Sequence, residues 1–273
     1  MGRIIRTLCD EVNETLKLTN FTEKELKRIY EPGPGLFIAE SSNVIRRALK
    51  AGYEPICLLM DETNSDSGII NDLNATDIPI YILNHNVFTN INGYELTRGA
   101  LAAFKRSEIN NCHEIIETSS KLVILEDIVN PTNIGAIFRS AAALGMDGII
   151  LNEACCDPLY RRSSRVAMGT CFQIPWAYWN DKSNTICQSL NAKGFDTVAM
   201  ALTDQSISIK SNMLKNSIKT AIFMGNEGYG LSESTINHSK YTVKLPMFND
   251  VDSLNVAAAS AIAFWELGPT VER

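Results

Sequence analysis

The sequence predicts an α/β protein built on a mostly parallel sheet with helices on both faces. Three observations lead there. From residue 121 onward, short apolar runs alternate with longer helical patterns, the rhythm of strands joined by crossover helices. Hydrophobic residues make up 45% of the 273-residue chain, enough to bury real cores in two domains. Residues 220–267 then string together an apolar run at 221–224, a loop with Gly225, Gly228 and Gly230, a second apolar run at 241–247 and an alanine-rich helix from Ser253. Two strand ends and one helix start would converge, and open α/β sheets bind ligands outside the carboxyl ends of their strands.

In chain order, residues 1–115 read as a small α/β domain. Asn20 with Glu23 and Glu25 opens a short charged helix, and Gly33-Pro34-Gly35 breaks the chain before a strand at 36–39. Ser41 or Ser42 caps a helix whose Val44, Ala48 and Leu49 share one face, and 56–60 returns as a strand. A strand at 78–83 and an apolar run at 101–104 follow. The polar stretch 110–120 marks the domain boundary, and a second domain covers 118–273. In it a strand at 122–125 leads into a helix at 134–144 that ends at Gly145, a glycine placed to take the left-handed position after a helix. A strand at 148–151, a basic helix at 157–168, a helix at 185–192, a strand at 197–202 and a helix at 206–214 precede the final stretch. Asp252 or Ser253 is the expected cap of the last helix.

Composition narrows the function classes. The formal net charge is −6, which excludes a broadly cationic surface and leaves only local basic patches: Lys24, Lys27 and Arg28; Arg46, Arg47 and Lys50; Arg161, Arg162 and Arg165. Neither an apolar leader nor an eighteen-residue apolar span is present, so a soluble, cytoplasmic protein without membrane association is expected. Seven cysteines, with no C-x-x-C pair, read as reduced and mostly buried thiols. His85, His113 and His238 share no metal-ligand spacing, and no metal is expected.

Three constellations carry chemistry. In Asn133-Ile134-Gly135-Ala136-Ile137-Phe138-Arg139, Asn133 stands at the helix start and Arg139 lies amid apolar residues. A guanidinium fork there suits a phosphate, with a structural ion pair as the plainer alternative. The loop Gly225-Asn226-Glu227-Gly228-Tyr229-Gly230-Leu231 fits neither G-x-G-x-x-G nor a Walker pattern, so a dinucleotide fingerprint is unsupported. Glu227 in that loop is a candidate polar anchor, with a simple tight turn as the alternative. Leu245-Pro246-Met247 and Ser253-Leu254-Asn255-Val256 form the third, where Ser253 and Asn255 are either site residues or helix caps.

Together these stretches resemble the SpoU (TrmH-type) branch of the SPOUT superfamily of RNA ribose 2′-O-methyltransferases. N-x-G-x-x-x-R, G-N-E-G-x-G-L and L-P-M with S-L-N-V occur in the family's order, and Arg165, Met168-Gly169-Thr170 and Pro175 resemble its R-x-x-M-G-x…P segment. The resemblance covers 118–268 strongly. Residues 1–110 are similar, more weakly, to the L30e-like RNA-binding domain of many members, through Leu36-Phe37-Ile38-Ala39-Glu40 and Gly99-Ala100-Leu101-Ala102.

The resemblance implies a deep C-terminal trefoil knot, which periodicity does not suggest. It implies S-adenosylmethionine as methyl donor, held by Ala201, Leu202, Gly225, Asn226, Gly228, Leu245, Met247 and Leu254, without a metal. It points to Arg139 as the essential residue at a homodimer interface, clamping phosphate rather than taking a proton, because a guanidinium is a poor base. Asn133, Glu227, Ser253 and Asn255 would complete the polar shell. The expected substrate is RNA, large-subunit rRNA ahead of tRNA, held by the N-terminal domain; the competing class is a non-catalytic RNA-binding protein on the same fold.

Overall fold

The computed structural model describes residues 4–6, 24–25, 35–64, 66–73, 76–86, 88, 99–179, 185–215, 217–249 and 251–269. The expected charged helix near residue 20 lies outside these except for Lys24 and Glu25, as do Lys27, Arg28, Cys9, Gly33 and Pro34. The chain divides into two compact units, Met1–Glu108 with Leu159–Phe172, and Ile109–Pro158 with Gln173–Arg273.

In the first unit, β1 (Ile4–Arg6), β2 (Leu36–Glu40), β3 (Pro55–Asp61), β4 (Ile80–Leu83) and β5 (Ala100–Lys105) form a mixed sheet in the order β1-β4-β3-β5-β2. β1, β4 and β3 run parallel, while β5 is antiparallel to both β3 and β2. The alternation of the strands sends Leu36, Ile38, Leu59, Leu101 and Ala103 into one apolar cluster and Phe37 and Phe104 to the opposite face, their rings stacked at 5.4 Å. The helix Ser42–Lys50 buries Val44, Ile45 and Ala48.

Two arginines from each of two basic patches are tied up within this unit. Arg46 pairs with Asp66 at 3.0 Å and Asp72 at 2.7 Å, and Arg47 donates to the Met168 carbonyl at 2.6 Å. The basic helix is shorter than its sequence suggests, Arg161–Val166, because Met168 and Gly169 turn to φ of +54° and +80°. Arg161 and Arg165 reach the buried Glu40 carboxylate at 2.9 and 2.8 Å. A carboxylate this buried requires such partners.

In the second unit, β6 (Lys121–Leu125), β7 (Gly148–Leu151), β8 (Trp176–Tyr178), β9 (Asp196–Met200), β10 (Ile207–Ser208), β11 (Thr220–Met224) and β12 (Tyr241–Lys244) make an all-parallel sheet in the order β10-β12-β9-β11-β6-β7-β8. β11 is buried along its whole length, as a strand covered on both faces must be. Leu122, Ile124, Ala199, Ala221 and Phe223 point to one core face. The helices Pro131–Ala143 and Val256–Leu267 pack against each other, and the second of them also meets β11.

Several local expectations give way to longer-range interactions. Residues 206–214 do not form one helix: Ile207 and Ser208 pair with Val243 and Lys244 of β12, and only Asn212–Lys215 is helical. The polar stretch 110–120 contains the helix Cys112–Thr118, whose Cys112, Ile115 and Ile116 are buried at helical spacing. A helix Glu233–His238, not anticipated, is capped by the Ser232 side chain, which accepts from Thr235 N. All the described cysteines are free thiols, and burial pushes those of Cys57 and Cys112 up to about 11 and that of Cys155 up to about 12. No helix is long and apolar enough to cross a membrane among the described residues.

Candidate active site

Because the strands of the second unit are parallel, their carboxyl ends lie at one edge of the sheet. Loops leaving β9, β11 and β12 there enclose, with the start of the helix Val256–Leu267, a cavity of about 400 Å³, in the size range of small-ligand pockets. Ala201 and Leu202 line it after β9; Gly225, Asn226 and Gly228 after β11; Leu245 and Met247 after β12; and Leu254 on the approach to the helix. Glu227 and Ser253 line it too. Tyr229, Lys244 and Asp252 also line it, though the sequence patterns gave none of them a place in the site.

The glycine loop is a tight reversal. Asn226 and Gly230 exchange backbone hydrogen bonds at 3.1 and 2.9 Å, and the Asn226 side-chain oxygen accepts from Gly228 N at 2.7 Å. Gly225 packs directly on the returning strand of the loop: a Cβ there would sit 2.4 Å from Gly230 C and Leu231 N. Only hydrogen fits at that position.

The polar residues meet beside this loop. The helix Pro131–Ala143 is capped by Asn130, not Asn133, because Pro131 occupies the first helical position and the Asn130 side chain accepts from Thr132 N at 2.8 Å. Asn133 is thereby free to use its side chain elsewhere. Nearly buried at 7% exposure, it donates from Nδ2 to Glu227 Oε1 and accepts from Asn255 Nδ2 at 3.1 Å. Asn255 is in turn the cap of the last helix, accepting from Ala257 N at 3.0 Å. Of the candidates weighed for that role, Asn255 takes it, whereas Asp252 and Ser253 precede the first helical turn by too much to reach its amides.

One amide therefore ties three sequence-distant segments together. Asn133→Ala is expected to lower the unfolding free energy of this unit by about 1–3 kcal/mol, since the Glu227 and Asn255 groups lose their partner together. Urea unfolding measures this, and a loss no larger than that of an exposed-site substitution would show the bridge to be incidental.

Arg139 behaves differently from the other predicted residues. It is exposed on the helix Pro131–Ala143, and makes no hydrogen bond or ion pair with the described residues. The structural ion pair weighed as its alternative role is absent there. Among the described residues no cluster of three or more His, Cys, Asp or Glu side chains could hold a metal.

Residues 120–265 match the model of the SpoU rRNA Methylase family. A Mycobacterium tuberculosis protein named as an uncharacterized tRNA/rRNA methyltransferase is 32% identical over 235 residues, 86% of this chain and 81% of the relative. The 23S rRNA (guanosine(2553)-2'-O)-methyltransferase RlmP of Bacillus subtilis is 28% identical over 232 residues, 85% of this chain and 88% of the relative. Among solved structures, an AdoMet-bound rRNA methyltransferase from Sinorhizobium meliloti shares the fold with a TM-score of 0.80 at 23% identity, covering 97% of this chain and 98% of that one. AviRb from Streptomyces viridochromogenes, also solved with AdoMet, gives 0.76 at 20% identity, covering 95% and 98%.

Proposed function

The chain belongs to the SpoU rRNA methylase family, and from that premise we propose that it methylates a ribose 2′-hydroxyl of large-subunit rRNA as a homodimer. It is an S-adenosylmethionine-dependent RNA methyltransferase. The observation that carries the reading is the convergence of two of the three motif segments, 225–231 and 245–256, on one cavity, with Asn133 of the first motif bonded to its wall residue Glu227 and to Asn255. The preference for rRNA is supported by the relative named as a 23S rRNA methyltransferase, which is matched over most of both chains.

The cavity suits S-adenosylmethionine chemically. Its walls pair the apolar side chains of Leu202, Leu245, Met247 and Leu254 with the backbone of the glycine loop, which matches a ligand that is part aliphatic chain and part polar nucleoside. Bound there, the donor supplies an electrophilic methyl group on a sulfonium centre. Ala201, Gly225, Asn226 and Gly228 would hold it through close backbone approach, and Ser253 and Glu227 would present polar atoms at the cavity wall.

A ribose hydroxyl is a weak nucleophile, so alignment contributes much of the acceleration. Arg139 carries a fixed positive charge with no partner among the described residues, and its fork of donors suits an RNA phosphate. Asn133 and Asn255 hold Glu227 in place. For the homodimer, support comes from the helix Val256–Leu267, whose residues are apolar except for Ser260 and Glu266. On its outer side Ile262 is 40% exposed and Trp265 64% exposed, surface that a second copy would cover. The first unit is assigned to holding RNA in the manner of an L30e-like domain, supported by the strand motifs at 36–40 and 99–102. A C-terminal trefoil knot is part of the same reading, supported by β12 lying beyond β9 while the following helix returns to β11.

The test is transfer of labelled methyl from S-adenosylmethionine to total rRNA and total tRNA, followed by nuclease digestion. Label on rRNA ribose is expected. Label on tRNA ribose alone would replace rRNA as the substrate, and label on bases would overturn ribose as the acceptor.

A further inference from the structure

Asp127 sits in the loop between β6 and the helix Pro131–Ala143 with φ of +57°. Side chains other than glycine avoid this left-handed region, and one that stays there is held by its surroundings. Asn152 does the holding, accepting from Asp127 N at 3.0 Å and donating to Asp127 Oδ1 at 2.6 Å.

Locked in this way, Asp127 turns its remaining acceptors to the glycine loop. Its carbonyl accepts from Asn226 Nδ2 at 2.8 Å, and its Oδ2 accepts from the Tyr229 hydroxyl at 2.8 Å. Asn226 and Tyr229 both line the cavity. Tyr229 is 68% exposed, so packing does not hold its ring; the bond to Asp127, which also pushes the Tyr229 hydroxyl pKa upward, does. The loop's own turn bonds close it locally. They do not fix it against the rest of the unit.

We propose that Asp127 is a positioning residue for the methyl-donor site: gripped by Asn152, it pins the glycine loop through Asn226 and Tyr229 in the shape that receives S-adenosylmethionine. This rests on the assignment of the cavity to that donor. A loop ordered in advance binds without the loss of freedom that a mobile loop suffers on binding. Loosening it lowers the fraction of protein competent to bind, and the apparent Kd rises by the inverse of that fraction.

Calorimetric titration of S-adenosylmethionine into wild type, Asp127→Gly, Asp127→Asn, Tyr229→Phe and the Asp127→Gly/Tyr229→Phe double variant tests this. Glycine tolerates the same φ, so Asp127→Gly removes the carboxylate without backbone strain. Its Kd is expected to rise about tenfold, corresponding to a competent fraction of about a tenth, with kcat on rRNA at saturating donor unchanged. Tyr229→Phe should raise Kd less, and the double variant should match Asp127→Gly, because the hydroxyl acts through the carboxylate. Asp127→Asn, which tolerates the conformation and keeps polar atoms toward Asn152 and Tyr229, should restore most of the affinity.

Hydrogen exchange of the 225–231 amides in the unliganded protein reads the loop itself and should quicken in Asp127→Gly. Donor affinity in Asp127→Gly equal to wild type, or additive effects in the double variant, would overturn the clamp. So would a fall in melting temperature with no change in affinity or loop exchange, which marks a purely structural contact. Failure of wild type to bind the donor at all would instead overturn the cavity assignment, and the positioning role with it.

Discussion

Arg139→Ala is expected to abolish most methyl transfer, by about 10²–10³-fold, the loss seen when one preorganised electrostatic contact is removed from a reacting site. The fold should not notice. Arg139 is exposed and unpaired among the described residues, so removing it breaks no bond within them, and substitutions of this kind stay within about 0.5 kcal/mol. Donor affinity should also hold, because Arg139 does not line the cavity. Arg139→Lys separates charge from geometry: a lysine keeps the charge but loses the planar fork, and recovery of only part of the rate identifies bidentate phosphate contact. Kinetics with labelled donor, beside donor titration and thermal unfolding, read the three quantities independently. Full activity in Arg139→Ala would remove this residue from the mechanism.

Gly225→Ala should act on the other half of the site. Its new Cβ would fall 2.4 Å from the backbone of Gly230 and Leu231 and 2.5 Å from the Gly230 carbonyl oxygen. No flexible side chain is available to yield, so the loop itself must move. Overpacking of this kind costs about 1–3 kcal/mol in stability, and displacing a cavity wall should weaken donor binding by about a hundredfold, or ~2.7 kcal/mol. Gly228→Ala should disturb the fold of the loop far less, since its Cβ would meet only the Asn226 side-chain oxygen, at 3.3 Å. Equal donor affinity in wild type and Gly225→Ala would show that the loop does not form the donor's wall.

These two expectations differ in where their grounds lie. Arg139 is legible in the sequence as a charge in an apolar helix, but only the structure shows that nothing among the described residues neutralises it. Gly225 is legible as one of three close glycines, but only the fold distinguishes it, which is packed on backbone, from Gly230, whose added Cβ would meet nothing within 4 Å.

What the sequence determined by itself is the part governed by local periodicity. Apolar runs of strand length, alternating with helical patterns, placed β6, β7, β9, β11 and β12 to within a few residues, and the residues that follow three of them became the cavity lining. What tertiary structure decided is the part carried by bonds between distant residues. Ile207 and Ser208 became a strand because β12 offers them an edge. Arg161 and Arg165 turned from a basic patch into partners of Glu40, more than a hundred residues away. Asn133, with Asn130 capping its helix, joined Glu227 to Asn255, and Asp127 reached Tyr229 across 102 positions. A side chain's local pattern states what it would bury or cap if alone, whereas its partner is set by which segments the sheet order brings to one edge, and that order is written in no single window of the sequence.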